Sequence, residues 1–197
     1  MFILIGEVMQ VLPSSRNTGK RCFYIDDQHS FDSIMSKLLQ KAVTEKFAIG
    51  FDIETSVDRR PIKLALLQIT TSKANLVIDP VGKDLKLFRL VMASENIVKV
   101  IHYAQYEKSV LKNYGCEINN VFDTCIWSRN TYGREKSHKL QDVVYRELGM
   151  HMSKEEQTSD WFRRPLTDSQ IYYAVFDSES IFMIYERINN SDDIGWG

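Results

Sequence analysis

The order of apolar and polar residues predicts a series of strands in the first half of the chain. Period-two alternation is typical of a half-buried strand, and a short continuous apolar run is typical of a strand buried on both faces. The opening stretch, residues 1–12, fits a first strand. Further strands are predicted at 21–26, 47–53, 62–70, 74–80 and 97–101.

Helical periodicity appears between these strands and dominates after residue 102. Apolar residues from Phe31 to Leu39 recur at helical spacing, and Ser30 is placed to cap that helix. Four more segments are predicted to be helical: 84–93, 104–115 with Gly115 as the C-cap, 123–132 and 140–149.

The last helix has the clearest start. Thr167 followed by Gln170 is a capping-box pattern, and an apolar stripe of helical period runs from Ile171 to Tyr185. Strands interleaved with helices predict one α/β domain over residues 1–197, with a mixed β-sheet flanked by α-helices. We place its core at about residues 20–188, followed by a short polar tail.

Composition narrows the class of protein. Hydrophobic residues make up 44% of the 197 residues and the formal net charge is -1, so any nucleic-acid binding must use local basic patches. The three cysteines have no metal-ligand spacing and predict reduced thiols inside a cell. The apolar N-terminus is interrupted by Glu7 and is too short to span a bilayer. We therefore expect an intracellular protein, cytoplasmic or nuclear, with no membrane partner.

Two carboxylates interrupt the end of the apolar strand FAIGFDIET. Asp52 and Glu54 are two residues apart, so they project from one face of the strand. A solvated strand end would tolerate them, but the apolar run before them indicates burial, where like charges repel. A divalent cation such as Mg²⁺ or Mn²⁺ would resolve that conflict, because it prefers oxygen ligands.

Two more segments carry candidate site residues. Tyr173 and Asp177 are four residues apart and lie on one face of the last helix, beside its apolar stripe. His102 and Glu107 follow the strand at 97–101, where α/β sheets often place functional side chains. Taken singly, each of these residues is more typical of an ordinary exposed or hydrogen-bonded side chain than of a functional site.

The three segments, in this order, resemble the motifs of the DEDD superfamily of exonucleases, which have a ribonuclease H-like fold. FDIET resembles the first motif, HYAQYEKSVL the second, and YAVFD the third in its tyrosine-containing DEDDy form. The run SDWFRRPLT and the segments before it resemble ribonuclease D and its relatives. The chain departs from the family pattern at Glu107, where Asp is usual, at Tyr103, where Asn is usual, and at Lys139, where Ser is usual.

The resemblance implies metal-dependent hydrolysis of nucleic acid from a free 3′ end, releasing nucleoside 5′-monophosphates. It implies two divalent ions, Mg²⁺ or Mn²⁺, held by Asp52, Glu54, Glu107 and Asp177, with Tyr173 orienting or deprotonating the attacking water. RNA is favoured as substrate and DNA is possible. The accessory helical domain of many ribonuclease D proteins has no counterpart here, so a protein partner or further domains could supply extra grip.

Substrate binding needs local positive charge and polar groups near the carboxylates. The predicted substrate-binding residues are His102, Gln68, Arg163, Arg164 and Lys139, and further basic candidates are His138, Arg59, Arg60 and Lys63. Trp161 is expected to pack in the core. Two alternatives stay open: a catalytically weakened domain that serves as a nucleic-acid-binding or adaptor module, suggested by Glu107 and Tyr103, and a metal-free structural domain.

Overall fold

A computed structural model of the chain describes residues 9–56 and 61–191. The strands are β1 (Gln10–Leu12), β2 (Arg21–Ile25), β3 (Phe47–Thr55), β4 (Leu64–Thr70), β5 (Ala74–Ile78), β6 (Ile97–Ile101) and β7 (Val121–Asp123). The helices are α1 (Gln28–Thr44), α2 (Lys86–Ala93), α3 (Gln105–Lys112), α4 (Thr124–Tyr132), α5 (Leu140–Leu148) and α6 (Asp168–Ser191). Residues 1–8, where the first strand was predicted to begin, lie outside the described residues.

The seven strands form one mixed sheet in the order β1-β2-β5-β4-β3-β6-β7. β4 runs antiparallel to both of its neighbours, β3 and β5, whereas β3 and β6 are parallel. The strand that carries Asp52 and Glu54 is therefore central, with β4 on one side and β6 on the other. The predicted α/β fold with a mixed sheet flanked by helices is confirmed.

Each face of the sheet is covered by helices, because the central strands are apolar on both faces. On one face, alternate residues of β3 such as Phe51 pack against α1 and α2, and the rings of Phe51 and Phe88 lie 5.9 Å apart. On the other face, α6 contacts β3, β4, β5 and β6. Asp52 and Glu54 belong to this second face, since they alternate with Phe51 and Ile53.

The first and last helices both begin at side-chain caps. The backbone N–H of Gln170 donates to Thr167 Oγ1 at 3.1 Å, and Gln170 Oε1 accepts from the Thr167 N–H at 3.0 Å, so the predicted capping box is confirmed. The predicted cap of the first helix is wrong. Asp27 is the N-cap of α1, and Ser30 is the third helical residue, whose N–H donates to Asp27 Oδ1 at 2.8 Å.

Two other details differ from the sequence prediction. Helix α3 ends at Lys112 with Asn113 as its C-cap, and Gly115 adopts a φ of 64° in the turn that follows. The short strand β7, at the edge of the sheet beside β6, was not predicted. Within residues 9–56 and 61–191, no helix combines the length and the apolar character required to cross a bilayer.

Candidate active site

Strand β3 delivers two carboxylates to the base of an open cleft. Asp52 and Glu54 are both half-buried and line the cleft, which has a volume of about 670 Å³. Beyond Glu54 the pairing of β3 with β4 shifts register, so the regular ladder ends where the carboxylates meet the cleft. Both side chains therefore face α6 from the last regular part of the strand.

Helix α6 brings a third carboxylate and a phenol to the same place. Asp177 is 5% exposed and Tyr173 is half-buried, and both line the cleft. The helix lies very close to β3, because a Cβ atom added at Gly50 would lie 2.3 Å from the carbonyl oxygen of Ser178. Only a glycine at this position allows the helix to approach the strand so closely.

Hydrogen bonds fix the position of α6 along the sheet. The hydroxyls of Thr70 and Ser178 lie 2.9 Å apart, and Asn75 Nδ2 donates to Glu179 at 2.8 Å. Ser178 and Glu179 directly follow Asp177 in α6. Their hydrogen bonds to the sheet therefore hold the Asp177 carboxylate opposite Asp52.

Carboxylate oxygens of Asp52, Glu54 and Asp177 all lie within 4.8 Å of one another. Burial raises the pKa of Asp52 to about 7. Burial, followed by the negative charge of Asp52, raises the pKa values of Glu54 and Asp177 well above their ordinary range. A group of acids this close holds protons at neutral pH unless cations replace them.

Glu107 lies in the first turn of α3 and also points into the protein. The residue is 4% exposed, and burial together with the charge of Asp52 raises its pKa to about 9. Its helix begins just after Tyr103, which has a φ of 65°, and the N–H groups of Tyr103 and Ala104 both donate to the carboxylate of Asp123. Asp123 thereby fixes the turn that precedes Glu107. Glu107 feels the charge of Asp52, but it is not one of the three carboxylates that lie within 4.8 Å of one another, and it does not line the cleft.

The site contains polar atoms without partners. Of the eight buried side-chain nitrogen and oxygen atoms without a hydrogen bond in the described part of the chain, four belong to Gln68, Glu107 and Asp177. Buried polar atoms are normally paired, and unpaired ones indicate a missing ion or water. The three close carboxylates Asp52, Glu54 and Asp177 suit hard divalent cations such as Mg²⁺ and Mn²⁺, so these residues fit the implied metals.

Tyr173 stays protonated beside these acids. Burial, followed by the charges of Asp177 and Glu54, raises its pKa above the ordinary value of 10. Its ring packs on Trp161, with centroids 5.9 Å apart, and Trp161 is 1% exposed, as expected for a core residue. The contact with Trp161 thus holds the phenol in place beside Asp177.

The wall of the cleft combines basic, polar and aromatic side chains. Lys139, the N-cap of α5 and one of the predicted substrate-binding residues, lines the cleft. Lys154 and Gln157, from the loop before α6, line it too and were not identified from the sequence. Tyr106 stands at the edge, 40% exposed, with its hydroxyl 2.7 Å from Thr55 Oγ1. Loop residues such as Lys154 have no periodic pattern, so only the tertiary structure reveals their position.

His102 does not line the cleft. Its ring nitrogens lie 2.9 Å from Thr124 Oγ1 and 3.0 Å from the carbonyl oxygen of His138, and burial lowers its pKa to about 4. A neutral imidazole with both nitrogens engaged ties the end of β6 to α4 and to the residue before Lys139. The geometry thus gives His102 a structural role instead of the predicted substrate contact.

The predicted arginines are also outside the cleft lining. Arg164 forms an ion pair with Asp79 at 2.6 Å and donates to the carbonyl oxygens of Ala65 and Trp161. These partners make Arg164 a clamp between the SDWFRRP segment and the sheet, which corrects the substrate-binding prediction. Arg163 is exposed and does not line the cleft either. Gln68, the remaining predicted substrate-binding residue, is 0% exposed and does not line the cleft, so it has no surface with which to contact a substrate.

Two of the remaining basic candidates, His138 and Lys63, do not line the cleft. Both ring nitrogens of His138 are engaged, with Ser128 Oγ and the carbonyl oxygen of Gly133. Lys63 is exposed and lies in a separate depression. Arg59 and Arg60 lie outside the described residues.

Comparison with known proteins identifies the class of this domain. Residues 22–191 match the family model described as 3'-5' exonuclease, so the chain belongs to this family. It is 28% identical over 180 residues to ribonuclease D of Shewanella sp. (strain ANA-3), a match that covers 88% of this chain and 45% of that relative. The chain therefore spans about half the length of this curated relative.

Solved structures show the same fold. The catalytic core of RRP6 from Trypanosoma brucei matches with a TM-score of 0.77 at 25% identity, covering 91% of this chain and 49% of that one. Escherichia coli RNase D, described as an exoribonuclease involved in structured RNA processing, matches with a TM-score of 0.76 at 24% identity, covering 86% and 44%. The resemblance to ribonuclease D inferred from the motifs is thus confirmed at the level of family and fold.

Proposed function

We propose that this chain is the catalytic domain of a metal-dependent 3′–5′ exonuclease that hydrolyses nucleic acid, with RNA as the favoured substrate. The observation that carries the proposal is the group of three carboxylates, with oxygens within 4.8 Å, that lines an open cleft in a chain of this family. The preference for RNA rests on the similarity to ribonuclease D.

Four carboxylates of this chain would hold the metal ions. Asp52, Glu54 and Asp177 form the close group, and Glu107 would support a second ion from α3 through its unpartnered oxygen. Two bound Mg²⁺ or Mn²⁺ ions would stabilise negative charge on the attacking and leaving oxygens of the phosphodiester. The burial of Glu107 beside Asp52 speaks against the adaptor alternative, because a carboxylate freed from metal binding would gain by turning to solvent.

The other residues of the cleft would bind and orient the substrate. The protonated phenol of Tyr173 would hold the attacking water through a hydrogen bond. Lys139 and Lys154 would pair with backbone phosphates, and the exposed face of Tyr106 would stack on a base, a contact typically worth about 1–3 kcal/mol. The product would be a nucleoside 5′-monophosphate, released from the 3′ end.

A net charge of -1 gives the chain little long-range attraction for nucleic acid. We propose that a protein partner or a further domain adds to the grip supplied by the cleft. Adding such a partner would lower KM and leave kcat unchanged.

Digestion of matched oligonucleotides tests the proposal. RNA, single-stranded DNA and duplex DNA, each labelled at the 5′ or the 3′ end, are incubated with Mn²⁺. We expect a ladder from 5′-labelled RNA and immediate release of a labelled mononucleotide from 3′-labelled RNA. Asp52→Asn should slow this at least about 100-fold, since each 1.36 kcal/mol of lost charge stabilisation costs a factor of ten.

The matched control is Glu135→Gln, which neutralises an exposed carboxylate outside the cleft lining. It should digest at the wild-type rate. If wild-type protein yields no ladder on any substrate, or Asp52→Asn digests as fast as wild type, the proposal is wrong. Metal-independent binding of RNA without digestion would instead indicate an adaptor.

A further inference from the structure

Gln68 lies at the centre of the sheet, directly beside Asp52. It is 0% exposed on β4, and the antiparallel register places it opposite Asp52 of β3. Directly opposed residues of an antiparallel pair have Cβ atoms about 4.5–5.5 Å apart on the same face. The side chain therefore starts next to the carboxylate of Asp52, on the face covered by α6.

The amide of Gln68 has no hydrogen-bond partner, at either Nε2 or Oε1. A fully buried primary amide left unpaired destabilises the fold. An apolar residue of similar size would avoid that cost, because the neighbouring strand residues Leu66 and Val77 are themselves apolar and buried. The local packing thus gives no reason for an amide at this position.

The strand register places two polar residues next to Gln68 on this face of the sheet, Thr70 and Asp52. Thr70, the next residue on this face of β4, already bonds Asn75 Oδ1 and the hydroxyl of Ser178. Asp52 is the opposed residue, and its carboxylate is in the group that would carry negative charge when cations bind. An amide N–H is a good donor to an ionised carboxylate.

We propose that Gln68 is a positioning residue for Asp52: its amide N–H donates to the Asp52 carboxylate when that group is ionised around divalent cations. This inference rests on the proposed function. A neutral donor suits the task, because it fixes the orientation of the carboxylate without cancelling the charge that attracts the ions. Hydrogen bonds to metal-ligating groups from outside the ligand set commonly affect metal affinity 10–100-fold.

Metal affinity separates this role from simple packing. Gln68→Met and Gln68→Leu keep the volume and remove the amide, and Val77→Ala is the matched control, a buried residue on the same face one strand further from Asp52. The dissociation constant for Mn²⁺ is measured by calorimetry, and the melting temperature is measured in EDTA. Two variants at position 68 guard against one of them failing to fold.

We expect the dissociation constant to rise at least about tenfold in both Gln68 variants. Their metal-free melting temperature should equal or exceed that of wild type, since an unpaired amide is removed. Val77→Ala should show the reverse, a lower melting temperature with unchanged affinity. If the Gln68 variants bind Mn²⁺ like wild type, or lose stability without losing affinity, the inference is wrong.

An NMR titration with Mg²⁺ provides a direct readout. The side-chain amide signals of Gln68, assigned by their absence in Gln68→Met, should shift as Mg²⁺ saturates the protein, and unmoved signals would contradict the inference. The two proposals fail differently. If the wild-type protein binds neither Mg²⁺ nor Mn²⁺, the proposed function is overturned as well. If wild type binds these ions and the Gln68 variants bind them with the same affinity, only the role of Gln68 is overturned.

Discussion

Gly50→Ala tests whether the close approach of α6 to β3 is what assembles the site. The new Cβ would lie 2.3 Å from the carbonyl oxygen of Ser178 and 2.9 Å from Cβ of Phe182, whereas ordinary contact begins near 3.4 Å. Subtracting 2.3 from 3.4 Å, the helix must retreat by about 1.1 Å. Both contacts involve the backbone or the base of a side chain, so a rotamer change cannot relieve them.

The size of the effect follows from that displacement. Overpacking of a filled core typically costs about 1–3 kcal/mol, so we expect a loss of that order in the free energy of unfolding. A displacement of about 1 Å within a catalytic group can cost roughly 100-fold in rate. Since Asp177 directly precedes Ser178, we also expect weaker stabilisation by Mn²⁺ and exonuclease activity lower by about that factor.

Urea unfolding with and without Mn²⁺ measures the stability, and the oligonucleotide digest, run well below the melting temperature, measures the rate. Gly82→Ala is the control. Gly82 has a φ of 73° and no heavy atom within 4 Å of an added Cβ, so its variant should lose about 1 kcal/mol through backbone strain alone. It should keep the wild-type response to Mn²⁺ and the wild-type rate. A Gly50→Ala protein that loses stability yet keeps both would refute the link between this contact and the position of Asp177.

Three further predictions address the turn at Tyr103, the acidic cluster and the arginine clamp. Tyr103→Asn should raise the free energy of unfolding in urea by about 1 kcal/mol, because Asn tolerates the φ of 65° better than Tyr. Equal or lower stability would argue against backbone strain at position 103. The pKa is raised from an ordinary 3.8 to about 7 at Asp52 and from 4.5 to about 9 at Glu107. At these two residues the folded state therefore binds protons more tightly than the unfolded state. In EDTA, the melting temperature of wild type relative to that of Asp52→Asn/Glu107→Gln should therefore fall as the pH rises from about 4 towards 9, while the Mn²⁺ affinity of wild type rises over the same range; a constant difference in EDTA would show that the two acids are not buried together. Arg164→Gln should lower the free energy of unfolding in urea by about 2–3 kcal/mol, because it breaks the charged hydrogen bond to Asp79. The kcat and KM should stay unchanged at low temperature. A selective rise in KM would instead support the predicted role of Arg164 in substrate binding.

The local features of the site were predictable from the sequence. The pair Asp52 and Glu54 lies one strand period apart, and Tyr173 and Asp177 lie about one helical turn apart, so backbone geometry alone puts each pair on one face. The capping box at Thr167 was predictable for the same reason, since it joins residues three positions apart. Such short-range relations depend on little beyond the local conformation.

Side chains whose roles depend on distant partners were not predictable. Arg164 carries the charge expected of a phosphate ligand, but its partner Asp79 is 85 residues away in the chain. His102 follows a strand in a position suited to catalysis, yet Thr124 and the carbonyl group of His138 occupy its ring nitrogens. In both cases the residue type was compatible with two roles, and the choice depended on which groups the fold brought near.

The sequence by itself determined the α/β class, the helix that carries Asp177 and the two carboxylates of β3, because periodicity and motif spacing are encoded within a few residues. Only the tertiary structure decided that Gly50 lets α6 approach the strand, that Glu107 turns inward to Asp52, and that Gln68 lies unpaired beside it. The physical reason is that burial and electrostatic coupling arise between elements far apart in the chain. The raised pKa values that indicate a cation site belong to the assembled cluster and to no single motif.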